Sequence, residues 1–192
     1  MDLVTALRVE RLASYYRLRG GYPVPLAGGI WWTALAFAGF AGLSPGRWNL
    51  LAFVTSGLIF PLALGLSRVL RVDFMRDRTA VTDVLVPTFL SMMLFWPIAI
   101  SAFWTQPVLV PLVLAIGMSI HWPVIGWSYG RPALYSAHAL VRAVLCFAIW
   151  NWLPEGRFTI LPMAVALVYF ATVAALFIDT RRATEALKQS AS

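Results

Sequence analysis

Five side chains could do chemistry in a chain that is otherwise mostly apolar: Asp83, His121, Tyr135, His138 and Arg142. In "ALYSAHALVRAVLCFAIWNW", Tyr135, His138, Arg142 and Cys146 stand at i, i+3, i+7 and i+11, which is one face of a helix. Arg142 follows Pro132 by ten residues, or about 15 Å of helix, which places it near the middle of a bilayer. A guanidinium there costs about 2.5–3.5 kcal/mol on the insertion scale, so it calls for a partner. Among the eight acids, Asp83 enters an apolar run, near its cytoplasmic end. Three readings of Arg142 are open. It bonds to carbonyls freed by nearby prolines, it lines a water-filled cavity that binds an anion or an anionic headgroup, or it pairs with Asp83.

The histidines invite a second question. His121 lies in "SIHWPVIGWSYGR", Ser119 to Arg131, about 10 Å from the end of its apolar run, and His138 lies about 9 Å into the next run from the same side. The two are therefore at similar depth on adjacent helices. Pro123 cannot donate to the Ser119 carbonyl, which leaves an acceptor beside His121. Each histidine has three uses: an inter-helix hydrogen bond worth about 0.6 kcal/mol, a proton relay or substrate contact, or axial ligation of haem or a chlorophyll-type pigment. Two histidines without clustered acids or thiols make a poor set for a non-haem metal, so no metal site is expected. The single Cys146 excludes an internal disulfide. H-E-x-x-H, G-x-S-x-G and P-loop motifs are absent, and no catalytic residue is assigned.

The elements that must hold these residues follow from composition. Of 192 residues, 60% are hydrophobic and 12% charged, with a mean hydropathy of +0.78. A soluble domain carries about 25% charged residues, so this chain cannot cover a water-exposed surface. Its apolar residues fall in six runs, near 22–43, 48–70, 82–104, 107–128, 133–153 and 158–179, each long enough to cross a bilayer as a helix. The links "SPGR" and "TQP" are short and turn-like, which predicts antiparallel hairpins. Residues 1–19 predict a short amphipathic helix at the membrane interface, with Leu3, Leu7, Tyr15 and Leu18 on one side. Gly20-Gly21 would end it. "GYPVPLAGG" is read as an ordinary proline-containing helix start. The expected organisation is an N-terminal helix over 1–20, an all-α six-span domain over 21–180 and a short tail over 181–192.

Net charge is +7, and fourteen of the fifteen basic residues are Arg. They cluster at the ends of the apolar runs, which points to anionic lipid at the cytoplasmic face and not to nucleic acid. Arg8, Arg11, Arg17, Arg19, Arg68, Arg71, Arg76, Arg78, Arg131, Arg181, Arg182 and Lys188 fall on one side, with Arg47 and Arg157 on the other. This bias predicts an inner-membrane protein with both termini in the cytoplasm. Trp48, Trp104, Trp150 and Trp152 fall at predicted outer ends and Trp127 at an inner end, as an aromatic belt requires, while Trp31, Trp32 and Trp96 lie deeper and are expected between helices.

"FPLALGLSR" (60–68) and "WPVIGWSYGR" (122–131) share an aromatic-Pro start and an Arg at the exit, a weak internal repeat. Together, "GGYPVPLAGGIWW", "SGLIFPLALGLSRVL" and "HWPVIGWSYGR" resemble a family of small bacterial multi-span membrane proteins classed as a domain of unknown function. The resemblance covers the six spans but not the N-terminal helix. It implies a bacterial inner-membrane protein and transfers no activity. The acidic/basic signature of the mitochondrial carrier family is absent.

The expected function is binding or transport of a small solute or anion at a polar site between spans 3, 4 and 5, in the cytoplasmic half. Arg142 would supply charge, His121 and His138 hydrogen bonds or protons, and Tyr135 the lining. The alternative is an accessory or scaffold subunit of a membrane complex or homo-oligomer, with haem or pigment at His121 and His138.

Overall fold

The computed structural model describes residues 2–72, 79 and 81–190, with side chains through Arg181. The described residues form helices and turns. Helix α1 (Leu3–Arg17) is capped by the Asp2 carboxylate, which accepts from the Thr5 N–H at 2.7 Å. The chain then turns through Gly20 and Gly21, both at positive φ, where a side chain would be strained. Next come α2 (Pro23–Phe40), α3 (Pro45–Ser56) and α4 (Ile59–Val69), then α5 (Leu85–Met93) and α6 (Trp96–Thr105). The last four are α7 (Val110–Gly117), α8 (Trp122–Ser128), α9 (Pro132–Trp152) and α10 (Ile160–Ser190). Arg76 and Arg78, together with the Arg182 and Lys188 side chains, lie outside what the structure describes, so their placement in the charge pattern is not addressed.

Among the described residues, five helical stretches are long and apolar enough to cross a membrane, or six if the bent pair α3/α4 is one span. The predicted second, third and fourth runs are not continuous helices. The second bends by 51° between α3 and α4. The third breaks at Leu94–Phe95 and the fourth over Met118–His121. The cause is local. Each second half opens with an aromatic-Pro pair: Phe60-Pro61, Trp96-Pro97 and Trp122-Pro123. Proline in a first helical turn sacrifices no hydrogen bond, whereas in mid-helix it removes one. Tight i to i+3 bonds take up the freed backbone groups. Trp122 N–H donates to the Ser119 carbonyl at 3.1 Å, so the acceptor expected to be free beside His121 is occupied.

α10 is the centre of the packing: it lies along α2 and α9 and also touches α7. α4 packs on α2, α6 on α7, and α8 on α9. The α9 face read from the sequence is the buried one, since its buried residues are Tyr135, His138, Arg142 and Cys146. Tryptophan placement agrees in part. Trp104 and Trp152 are exposed, while Trp31 and Trp32 are buried. Trp48 is a correction: it is fully buried, its indole N–H donates to the Leu35 carbonyl at 2.8 Å, and it packs on Phe158. Its ring is held by the core, not by the interface.

α1 is more than a surface helix. Its first half leaves Leu3, Val4 and Val9 exposed, but Ser14 and Tyr15 are buried against the bundle. Arg11 Nε donates to the Trp127 carbonyl and its guanidinium lies 4.5 Å over that indole.

Candidate functional site

A cavity of about 550 Å³ opens where the three helix breaks converge. Gly57 from the first break, Phe95 from the second, and Met118 and His121 from the third all line it. So do the aromatic members of the three aromatic-Pro pairs, Phe60, Trp96 and Trp122. Irregular backbone at membrane depth is tolerated only where it is buried in protein or lines a cavity. Leu85, Phe89, Met92 and Met93 make a further wall, and the whole is largely apolar. The start of α2 also contributes through Val24, Pro25 and Gly28, so an ordinary helix start is also a cavity wall.

The five predicted residues separate into three places. His121 and Tyr135 line the cavity. His138 and Arg142 stand behind its wall, and Asp83 is away from it, exposed in a turn at the start of the third run. The links between the first two places are aromatic. The Trp122 ring packs on His121 at 5.6 Å and on His138 at 4.4 Å. Tyr169 of α10 packs on His138 at 4.8 Å, and the Arg142 guanidinium lies 5.0 Å over the Tyr169 ring. Arg142 is also within electrostatic reach of His121, His138 and Cys146. The similar depth of the two histidines is therefore real proximity, with an indole packed on both.

Hydrogen bonding distinguishes the members of this cluster. Thr172 Oγ1 donates to the Val168 carbonyl at 2.8 Å, so His138 Nδ1 donates to Thr172 Oγ1 at 2.7 Å and Nε2 is its open nitrogen. Tyr135 OH donates to the Gly20 carbonyl at 2.5 Å, which ties α9 to the turn after α1. By contrast, Nε and both terminal nitrogens of Arg142, His121 Nδ1, His138 Nε2 and Trp122 Nε1 are buried without a hydrogen-bond partner. Arg142 is 0% exposed. The structure does not favour Arg142 as carbonyl glue or as a partner of Asp83, because no carbonyl or carboxylate among the described residues meets it. Nor does it line the cavity, whose wall includes the Tyr169 ring that it contacts.

Trp122, Tyr169 and Thr172 are the members of this cluster that sequence reasoning passed over. The signal for Trp122 was present in the aromatic-Pro pairs; Trp96-Pro97 repeats it and was not read. Tyr169 and Thr172 sit in an unbroken apolar helix, where nothing local marks them.

A second polar cluster gathers where α1 meets α9 and α10. Arg131 Nε donates to Asp179 Oδ2 at 2.9 Å, and Arg131 Nη2 donates to Tyr16 OH at 3.1 Å. Tyr15 OH donates to the same Asp179 oxygen at 2.7 Å. Burial raises the Tyr15 phenol above its ordinary value, and the bond to Asp179 adds to this. For Arg131, burial acts downward, but the contacts with Asp179 outweigh it and the guanidinium is raised. Asp179, at the end of the last run, is thus the carboxylate that Arg131 uses.

No curated protein and no solved structure matches the chain. A family profile does, over residues 9–179, and its match takes in the second half of α1 that the resemblance left out. The chain therefore belongs to the Family of unknown function (DUF7010).

Proposed function

We propose that this is an integral membrane protein that binds a small, largely apolar solute in the cavity between its broken helices. The end carrying α1 would face the cytoplasm of a bacterial inner membrane, where Arg8, Arg11, Arg17 and Arg19 meet anionic lipid. One observation carries the reading: three helix breaks and their three aromatic residues meet at one cavity of about 550 Å³. That volume is typical of small-molecule sites, about 300–1,000 Å³. Discontinuous helices at mid-membrane are also how many transporters build a substrate site.

Native mass spectrometry of the protein released from its own membrane tests this. Ala63 is buried and lines the cavity, so Ala63→Phe fills it. A co-released small molecule that is lost in Ala63→Phe is the expected result. The same adducts on both proteins would contradict the reading.

The accessory-subunit reading, with haem or a pigment, has one observation behind it: His138 Nε2 is buried and unpaired. Against it, the Trp122 and Tyr169 rings pack 4.4 and 4.8 Å from the His138 ring, in the space a macrocycle needs. A visible absorption band from the purified protein would favour this reading; its absence would remove it.

A further inference from the structure

The cavity and the unpaired guanidinium share one aromatic neighbour, Tyr169. Tyr169 forms part of the cavity wall, and Arg142 lies 5.0 Å over the same ring. A guanidinium keeps its charge at any physiological pH. Buried without a counter-ion, it is destabilising, and its natural complement is an oxyanion held by two parallel N–H···O bonds. The rest of the space asks for hydrocarbon. α4 packs on α2 and α5 on α8, and the cavity is walled by α4 and α5 between those two pairs. On that side Phe60, Phe89 and Met93 line the cavity and are 54%, 39% and 43% exposed.

Resting on the reading of the cavity as a ligand site, we propose that cavity and Arg142 form one site for a single-chain amphiphile with a carboxylate head. The chain comes from the bilayer and lies against Phe60, Phe89 and Met93. The carboxylate meets Arg142 once the Tyr169 ring turns aside. A Cβ at position 28 would come within 2.8 Å of the Tyr169 ring, so glycine there is what lets the ring pack against α2 where it does.

The test uses full-length protein in lipid nanodiscs and two photoactivatable probes, dodecanoic acid and dodecanol, each with a diazirine on the chain. Cross-links are mapped by mass spectrometry. The expected result is labelling of α4 and α5 by both, with the acid favoured by about tenfold or more, the worth of charge-assisted bonds to a guanidinium. Arg142→Gln should bring the acid down to the level of the alcohol and leave the alcohol unchanged. Arg142→Lys should keep part of the preference. Equal labelling by acid and alcohol in the unmodified chain overturns the proposal while sparing the cavity as an apolar site. So does an acid preference that survives Arg142→Gln, or loss of both probes in that variant at an unchanged melting temperature. If neither probe labels the cavity in the unmodified chain, the underlying reading of the cavity fails as well.

Discussion

Arg131 and Arg142 sit eleven residues apart at the start and in the middle of α9, and the protein treats them in opposite ways. Arg131 has a carboxylate, a phenol oxygen and the Tyr15 ring 5.1 Å away. Arg142 has an aromatic face and no hydrogen-bond acceptor. Depth explains the contrast. At the end of the bundle, α1 and the end of α10 bring polar groups to Arg131. Halfway along α9, the neighbouring helices offer apolar side chains, and their backbone carbonyls are engaged in helical bonds. The first cluster ties three elements together and is structural. The second leaves a buried guanidinium without a hydrogen-bond partner among the described residues, which in a membrane-length helix is costly.

The largest expected effect comes from removing the unpaired charge. Arg142→Met should leave the fold as stable or raise its stability by about 1–4 kcal/mol, as when a buried charge is replaced by packed hydrocarbon. Reversible unfolding in mixed micelles measures this. A loss of several kcal/mol would mean that Arg142 has a partner in the folded protein, and the contrast with Arg131 would collapse. Asp179→Asn should act in the other direction. It takes the charge from the acceptor shared by Arg131 and Tyr15, and should cost about 1–3 kcal/mol. The same assay should show α1 becoming more open to proteolysis; an unchanged protease pattern would mean that the cluster does not hold α1.

The smallest effect concerns pH. Tyr15 and Arg131 both have raised values in the folded chain. A group raised on folding lends stability that is complete below its unfolded value and is lost as pH climbs toward its folded one. The unfolded phenol ionises near pH 10, so the melting temperature should decline above about pH 10. Tyr15→Phe should flatten that decline. A slope that is the same in Tyr15→Phe would show that the phenol–Asp179 bond is not its source.

Several features were legible from local pattern. The face of α9 that carries Tyr135, His138, Arg142 and Cys146 is buried as a helical period requires, and His121 does lie beside the His138 face through Trp122. Other features were not. Asp83 looked like the available counter-charge because it enters an apolar run, yet it is exposed in a short turn, while Asp179 meets Arg131 from another helix. Trp48 looked like a belt residue from its place near a helix end, but it is fully buried, bonded to Leu35 of α2 and packed on Phe158. The continuity of spans 2 to 4 was misread because hydropathy averages over a window and does not register where a helix breaks.

By itself, the sequence determined that this chain is a bundle of membrane-length apolar helices, that one face of α9 is turned inward, and that Arg142 has no ready counter-charge. Composition and periodicity are local quantities, and burying apolar surface while pairing backbone groups leaves little choice about them. The tertiary structure alone decided which groups meet. It brought three helix breaks to one cavity, put Tyr169 in contact with both that cavity and Arg142, and gave Asp179 to Arg131. Those outcomes depend on how each helix is rotated and where its neighbours lie, and that is set by packing between residues far apart in the chain.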